Sequence, residues 1–340
     1  MNIFVAMREI VHSRVCLLCF LIGLLISCSP ATPNQQHHEG SSPAVDPLGP
    51  ADLHELLRSA HRVPNSSQWF EIIALPNDVY ALWEPGHAEK VNSFLILGAT
   101  KDVLYDTGMG IASIGDALNE LRAELGRESM PLMVINSHNH LDHNGGNSDF
   151  SEAWIIKDEW AIRKLTEGLS DGFAEYWADF TPHEGIQIPD SFDASSFSIP
   201  PFPIERIRFL ADGDIVDLGN RQFRVVHTTA HSPDGLTLYD EANRVFFGGD
   251  TFIGDSFLIR DLNLLEQDLA RISQLPIRWH YSSHGDQLIQ AMQDGKRLAI
   301  IRRMIDGERE ESTTRFAGQE FPLYTHGKVE VILAPDFLTY

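Results

Sequence analysis

Three histidines and an aspartate crowd the segment Asn136-Ser-His-Asn-His-Leu-Asp-His-Asn-Gly-Gly146. Imidazole nitrogens and carboxylate oxygens are the donors that zinc, iron and manganese take from proteins. The segment follows an apolar strand pattern, Leu132 to Asn136. Alternate residues of an extended chain face the same side, so His138 and His140 point together at one ion. The chain must then turn, which aims Asp142 and His143 at a neighbouring ion, about 3.5–4 Å away in two-metal sites. Gly145 and Gly146 give the tight backbone this requires. One cluster offers too few donors to close two sites, and His231, Asp250 and His284 supply the rest. Each lies just past an apolar strand pattern, namely Phe223–His227, Val245–Phe247 and Trp279–Ser282. Strands that deliver donors at their carboxyl ends are how sheet proteins build sites.

The elements that must position these donors alternate along the chain. Helical spacing in Ala51–Arg62 precedes short strands at Trp69–Leu75, Val79–Trp83, Ser93–Leu97 and Val103–Tyr105. A helix over Ile114–Leu125 leads into the strand before the histidine cluster. Further strands fall at Trp154–Ile156 and Leu236–Tyr239, with helices at Glu159–Leu165, Leu264–Leu275 and Leu288–Met304. Hairpin-like groups of strands followed by strand–helix alternation predict an α/β (α+β) fold of sheets covered by helices. The stretch from about 170 to 204 is dense in aromatics and prolines and lacks a period, so it reads as an insertion that packs over something. Five of the 15 histidines are claimed as donors. Among the others, His227 and His280 read as core groups with partners of their own, and His183 as a surface residue.

The motif His138-x-His-x-Asp-His143, with His231, Asp250 and His284 following in order, resembles that of the metallo-β-lactamase-fold hydrolases. The likeness covers roughly Trp69 to His284. It implies an αββα sandwich and a site for two ions, usually Zn2+, with iron or manganese as alternatives. By resemblance His138, His140 and His231 hold the first ion, Asp142, His143 and His284 the second, and Asp250 bridges them. Asp106, at the end of the Val103–Tyr105 strand, matches a family aspartate that supports the site from behind the ligands. Asp250 stands where one lactamase subclass has a cysteine ligand, which excludes that subclass.

Residues 1–27 read as an export signal: Arg8 and Arg14 precede the apolar run Val15–Ser27, which is too short to span a membrane comfortably. The run ends in Leu25-Ile26-Ser27-Cys28, which resembles the lipobox of bacterial lipoproteins and implies cleavage before Cys28 and its lipidation. Ser29 in place of Asp suits outer-membrane sorting, so the expected location is the bacterial cell envelope, lipid-anchored, on the periplasmic side. Residues 28–66 then form a tether and a short helix, and 67–340 the catalytic body. The three cysteines, at positions 16, 19 and 28, are all spent in this leader, so the metal is held by nitrogen and oxygen alone.

A formal charge of −22 opposes binding to nucleic acid or electrostatic attachment to anionic membranes. Two adjacent divalent ions bring the pKa of a shared water near neutrality and supply hydroxide to an electrophilic carbonyl. Asp142 is placed to orient that nucleophile and carry its proton. The expected activity is hydrolysis of an ester, thioester or lactone in a small-molecule substrate. The alternatives are β-lactam hydrolysis and iron-dependent persulfide oxidation, which shares the motif. No protein partner is inferable.

Overall fold

In the computed structural model, which describes residues 50–169, 174–290, 294–316 and 319–334, the strands of the first half join into one sheet. Its eight strands run in chain order: β1 (Arg62–Val63), β2 (Glu71–Leu75), β3 (Val79–Trp83), β4 (Asn92–Ile96), β5 (Asp102–Tyr105), β6 (Leu132–Ile135), β7 (Ala153–Ile156) and β8 (Ile207–Leu210). The first five pair antiparallel and the last four parallel, β5 belonging to both runs. A second sheet contains β9 (Ile215–Asp217), β10 (Gln222–Thr228), β11 (Gly235–Asp240), β12 (Val245–Phe247), β14 (Trp279–Tyr281) and β15 (Ile289–Gln290).

Alternation along the strands separates the faces of both sheets. Ile73, Ala81, Phe94, Ile96, Val103 and Tyr105 point inward and meet Val225, Leu236, Leu238, Val245, Phe247 and Tyr281 in one core between the sheets. The opposite residues of the first sheet, Ile72, Leu82, Leu95 and Leu104, pack under the apolar side of helix Ile114–Glu124. On the far side, Val226, Tyr239 and Phe246 are covered by Leu265 and Leu269 of helix Leu262–Ile272 and by Leu298 and Ile301 of helix Asp294–Ile305. The order of layers is therefore helix, sheet, sheet, helix, the mixed α/β arrangement expected from the sequence.

Three features depart from the sequence reading or extend it. The residues Leu288–Met304, read as one helix, divide into strand β15 and a helix that begins at Asp294. Leu288 and Ile289 are buried between the sheets and Ile289 pairs with Tyr281, so strand pairing overrides the helical spacing at that end. Beyond the last expected helix the chain adds β16 (Glu310–Phe316), β17 (Gln319–His326) and β18 (Val329–Leu333), which join the earlier β13 (Ser256–Ile259) in a third sheet. The described part of the 170–204 stretch folds over the outer face of the first sheet: Trp177 is fully buried there and Ile199 is bridged to Leu169.

Helix Pro50–Ser59 reaches the inter-sheet core through Leu53, and β1 pairs with β2. Residues 1–49, with the signal, Cys28 and most of the tether, lie outside the described residues, as do residues 170–173 of the insertion. Among the described residues, no helix is long and apolar enough to cross a membrane.

Candidate metal centre

The parallel pair β5 and β6 ends at the same edge of the first sheet, and the parallel pair β12 and β14 ends at an edge of the second. The loops after these strands carry Asp106, the segment Asn136–Gly146, Asp250 and His284, and the turn between β10 and β11 carries His231. The chain past β6 stays extended through His140, which adopts φ −77° and ψ 156°, and then winds into a single helical turn, Leu141–Asn144.

That path creates two donor clusters. His138, His140 and His231 form one; Asp142, His143, Asp250 and His284 form the other; within each, the donor atoms lie within 4.8 Å of one another. In the first, His140 Nδ1 is 2.9 Å from His138 Nε2 and 3.0 Å from His231 Nε2. In the second, His143 Nε2 and His284 Nε2 are 3.1 Å apart, and Asp142 Oδ2 is 3.5 Å from each. Asp250 Oδ2 stands between the two, 3.0 Å from His284, 3.3 Å from His143, 3.7 Å from His231 and 3.9 Å from His138.

The outer nitrogens of these rings are fastened, which fixes the orientation of the inner ones. His231 Nδ1 donates to the Leu258 carbonyl and His284 Nδ1 to that of Glu89, both at 2.8 Å. His143 Nδ1 donates to Asp106 Oδ2 at 3.0 Å. Asp106 Oδ1 in turn accepts from the Ser137 backbone, 2.6 Å away, so one carboxylate holds both the ring and the start of the motif. Asp106 is fully buried and adopts φ 66°, a left-handed conformation uncommon for any residue but glycine, asparagine and aspartate.

Gly145 and Gly146 prove necessary for room rather than for an unusual dihedral. Gly145 has an ordinary helical φ of −57°, but a Cβ there would lie 2.3 Å from the Met109 carbonyl oxygen. A Cβ on Gly146 would lie 2.5 Å from that of Thr107. The histidine loop is thus pressed directly onto the backbone of the Asp106 loop.

The charge pattern differs between the clusters. Burial, reinforced by the neighbouring imidazoles, pushes His138 well below its ordinary pKa and His140 down to about 3. Burial also lowers His231, against the pull of Asp250. Burial opposes charge on His143 and His284 as well, but the carboxylates of Asp250 and Asp142 outweigh it, raising His143 well above its usual range and His284 to about 9. Burial likewise opposes ionisation of Asp142 and Asp250, yet these histidines hold both carboxyls below the usual range.

A cation suits this donor set. Several imidazole nitrogens converge with lone pairs facing each other, and Asp250 Oδ1 is buried with no hydrogen-bond partner. The first cluster favours neutral imidazoles, and in the second the carboxylates favour positive charge, which a metal ion would supply in place of protons.

Other residues enter the site without any signal in the spacing of the sequence. Glu89 is buried, its Oε1 lacks a partner, and burial followed by the charge of Asp142 lifts it to about 8. Glu84 accepts from Trp69 Nε1 at 2.6 Å and from the Met109 backbone at 2.9 Å, bracing the Asp106 loop from beneath. Trp160 meets the His140 ring edge-on, with centroids 6.0 Å apart. Among the histidines set aside, His227 bonds the Pro233 carbonyl and His183 bonds Glu71 while remaining partly exposed. His280 corrects its reading as a partnered core group: it is fully buried, and neither ring nitrogen has a hydrogen-bond partner.

The Metallo-beta-lactamase superfamily model matches residues 88–300, a span that contains every donor named above. Over 197 residues the chain is 28% identical to a Gallus gallus protein named acyl-coenzyme A thioesterase MBLAC2, covering 56% of this chain and 69% of that one. The Homo sapiens protein of that name is 26% identical over 200 residues, with the same shares. A solved beta-lactamase domain protein from Burkholderia ambifaria is 20% identical and superposes with a TM-score of 0.49, covering 74% of this chain and 81% of its own. With the family matched across most of both sheets and all of their donor loops, the chain belongs to the metallo-β-lactamase superfamily and is a hydrolase.

Proposed function

We propose that the protein is a two-metal hydrolase, with zinc as the ion, that cleaves a thioester, ester or lactone bond in a small molecule. The observation that carries this reading is Asp250 Oδ2, standing 3.0–3.9 Å from histidines of both donor clusters. Two ions held side by side would polarise a carbonyl and lower the pKa of water. His138, His140 and His231 would hold one ion and Asp142, His143 and His284 the other, with Asp250 shared. Asp142 would orient an attacking water and take up its proton. Asp106 keeps the His143 ring turned so that Nε2 would face a second ion. Trp160, which meets the His140 ring edge-on, would offer an apolar contact to an acyl group.

The relatives named as acyl-coenzyme A thioesterases favour a thioester among the three bonds. Residues 1–27 as an export signal and lipid on Cys28 complete the reading, with the stretch between Cys28 and helix Pro50–Ser59 tethering the catalytic body, which that helix and β1 join, to the periplasmic face of the outer membrane. Assays of the soluble form that starts after Cys28 with acyl thioester, ester, lactone and nitrocefin substrates test the assignment. Turnover of one of the first three, lost on chelation, is expected; turnover of nitrocefin alone would replace it with β-lactam hydrolysis.

A further inference from the structure

The segment that carries the histidine pair is fastened to the second sheet by groups that touch no metal donor atom. His138 and His140 face one side of the extended chain, so the residue between them, Asn139, faces the other. There its Nδ2 donates to Asp234 Oδ2 at 2.6 Å, and Asp234 Oδ1 accepts from Ser232 Oγ at 2.8 Å. Asn139 Oδ1 in turn accepts from Asn144 Nδ2, 3.3 Å away, tying in the residue that follows His143. Asn139, Asn144, Ser232 and Asp234 are all buried. One residue before His138, the Ser137 carbonyl accepts from the Leu236 backbone at 2.6 Å. The His231 turn is therefore joined to the His138–His140 segment on both sides of His138, once through backbone and once through side chains.

We propose that the Asn139–Asp234 bond is a positioning strut that sets the spacing of His140 against His231 and so fixes the affinity of the first metal site. The inference rests on the reading that His138, His140 and His231 hold an ion. A buried carboxylate is costly to desolvate and is retained where its hydrogen bonds are satisfied, as they are here. The backbone bond at Ser137 fixes the start of the segment but leaves the Asn139 peptide free to rotate about its own dihedrals. The strut removes that freedom and so keeps His138 and His140 on one face of the segment. Groups that orient ligands from behind are worth about 10–100-fold in metal affinity.

The test is cobalt titration of the metal-free full-length chain in detergent, read by visible absorption, with thermal unfolding of the metal-free forms alongside. Asp234→Ala and Asn139→Ala should each weaken binding of one of two cobalt ions by about 10–100-fold, and the double variant by no more than either alone. Asp234→Asn keeps an acceptor for Asn139 and should stay within about threefold of wild type, separating the bond from the charge. Should Asp234→Ala fail to fold, Asn139→Ala breaks the same bond from the other side. The strut is overturned if both single variants bind two ions as wild type does, or if Asp234→Asn is as weak as Asp234→Ala. A wild-type chain that takes up no cobalt would instead sink the metal reading on which the strut rests.

Discussion

Asp106 shows how much of the site depends on one side chain that need not touch a metal. It spans from the Ser137 backbone to the His143 ring while holding a left-handed backbone. Asp106→Asn keeps a residue that tolerates that conformation, so its effect isolates the lost carboxylate. Activity and metal affinity should drop about 10–100-fold, read by steady-state kinetics and chelator competition. Replacing His140 or Asp142 with Ala should abolish turnover while far-ultraviolet circular dichroism stays native; unchanged turnover would mean that the site is misplaced. The donors were legible in the sequence because residue type, alternation and a preceding strand all pointed to them. Glu89, Asn139 and Asp234 were not, because nothing about a lone carboxylate or amide reveals what another strand places opposite it.

At the level of elements, the loops after β5 and β6 meet almost without side chains between them. Gly145→Ala puts a methyl group 2.3 Å from the Met109 oxygen, backbone against which no rotamer can yield. A loss of about 1–3 kcal/mol in unfolding free energy is expected, together with reduced metal content, both measurable on the purified variant. The His231 turn is held from helix Leu262–Ile272, where Asp268 Oδ2 accepts from the backbones of Thr229 and Ala230, each at 2.8 Å. Burial lifts Asp268 from 3.8 to about 6, so the folded protein holds this proton more tightly than the unfolded chain does. Its contribution to stability is full below about pH 4 and is lost as the pH rises through 6. Asp268→Asn, which retains an acceptor, should therefore gain on wild type across that window by up to about 3 kcal/mol in denaturant unfolding. A difference that does not vary with pH would contradict it. Most strands and helices could be read from periodicity, but the third sheet could not. Its strand β16 begins Glu-Glu-Ser-Thr-Thr, polar residues that earn a strand only by pairing with β17.

For the whole molecule, the two sheets bring their donor loops together across the inter-sheet core, so on the proposed two-metal reading metal binding would be linked to folding. Chelation should lower the melting temperature, and adding zinc back should restore it, since an ion present at 100 times its dissociation constant adds about 2.7 kcal/mol. The charge of −22 favours such cations and disfavours polyanionic partners, which fits a small substrate. The most direct test of the account is metal analysis of the purified protein coupled to thioester hydrolysis before chelation, after it and after zinc is restored. Two ions per chain, with hydrolysis that disappears and returns with them, is the predicted result. Hydrolysis that persists in the metal-free protein, or a single iron with no hydrolysis at all, would contradict it.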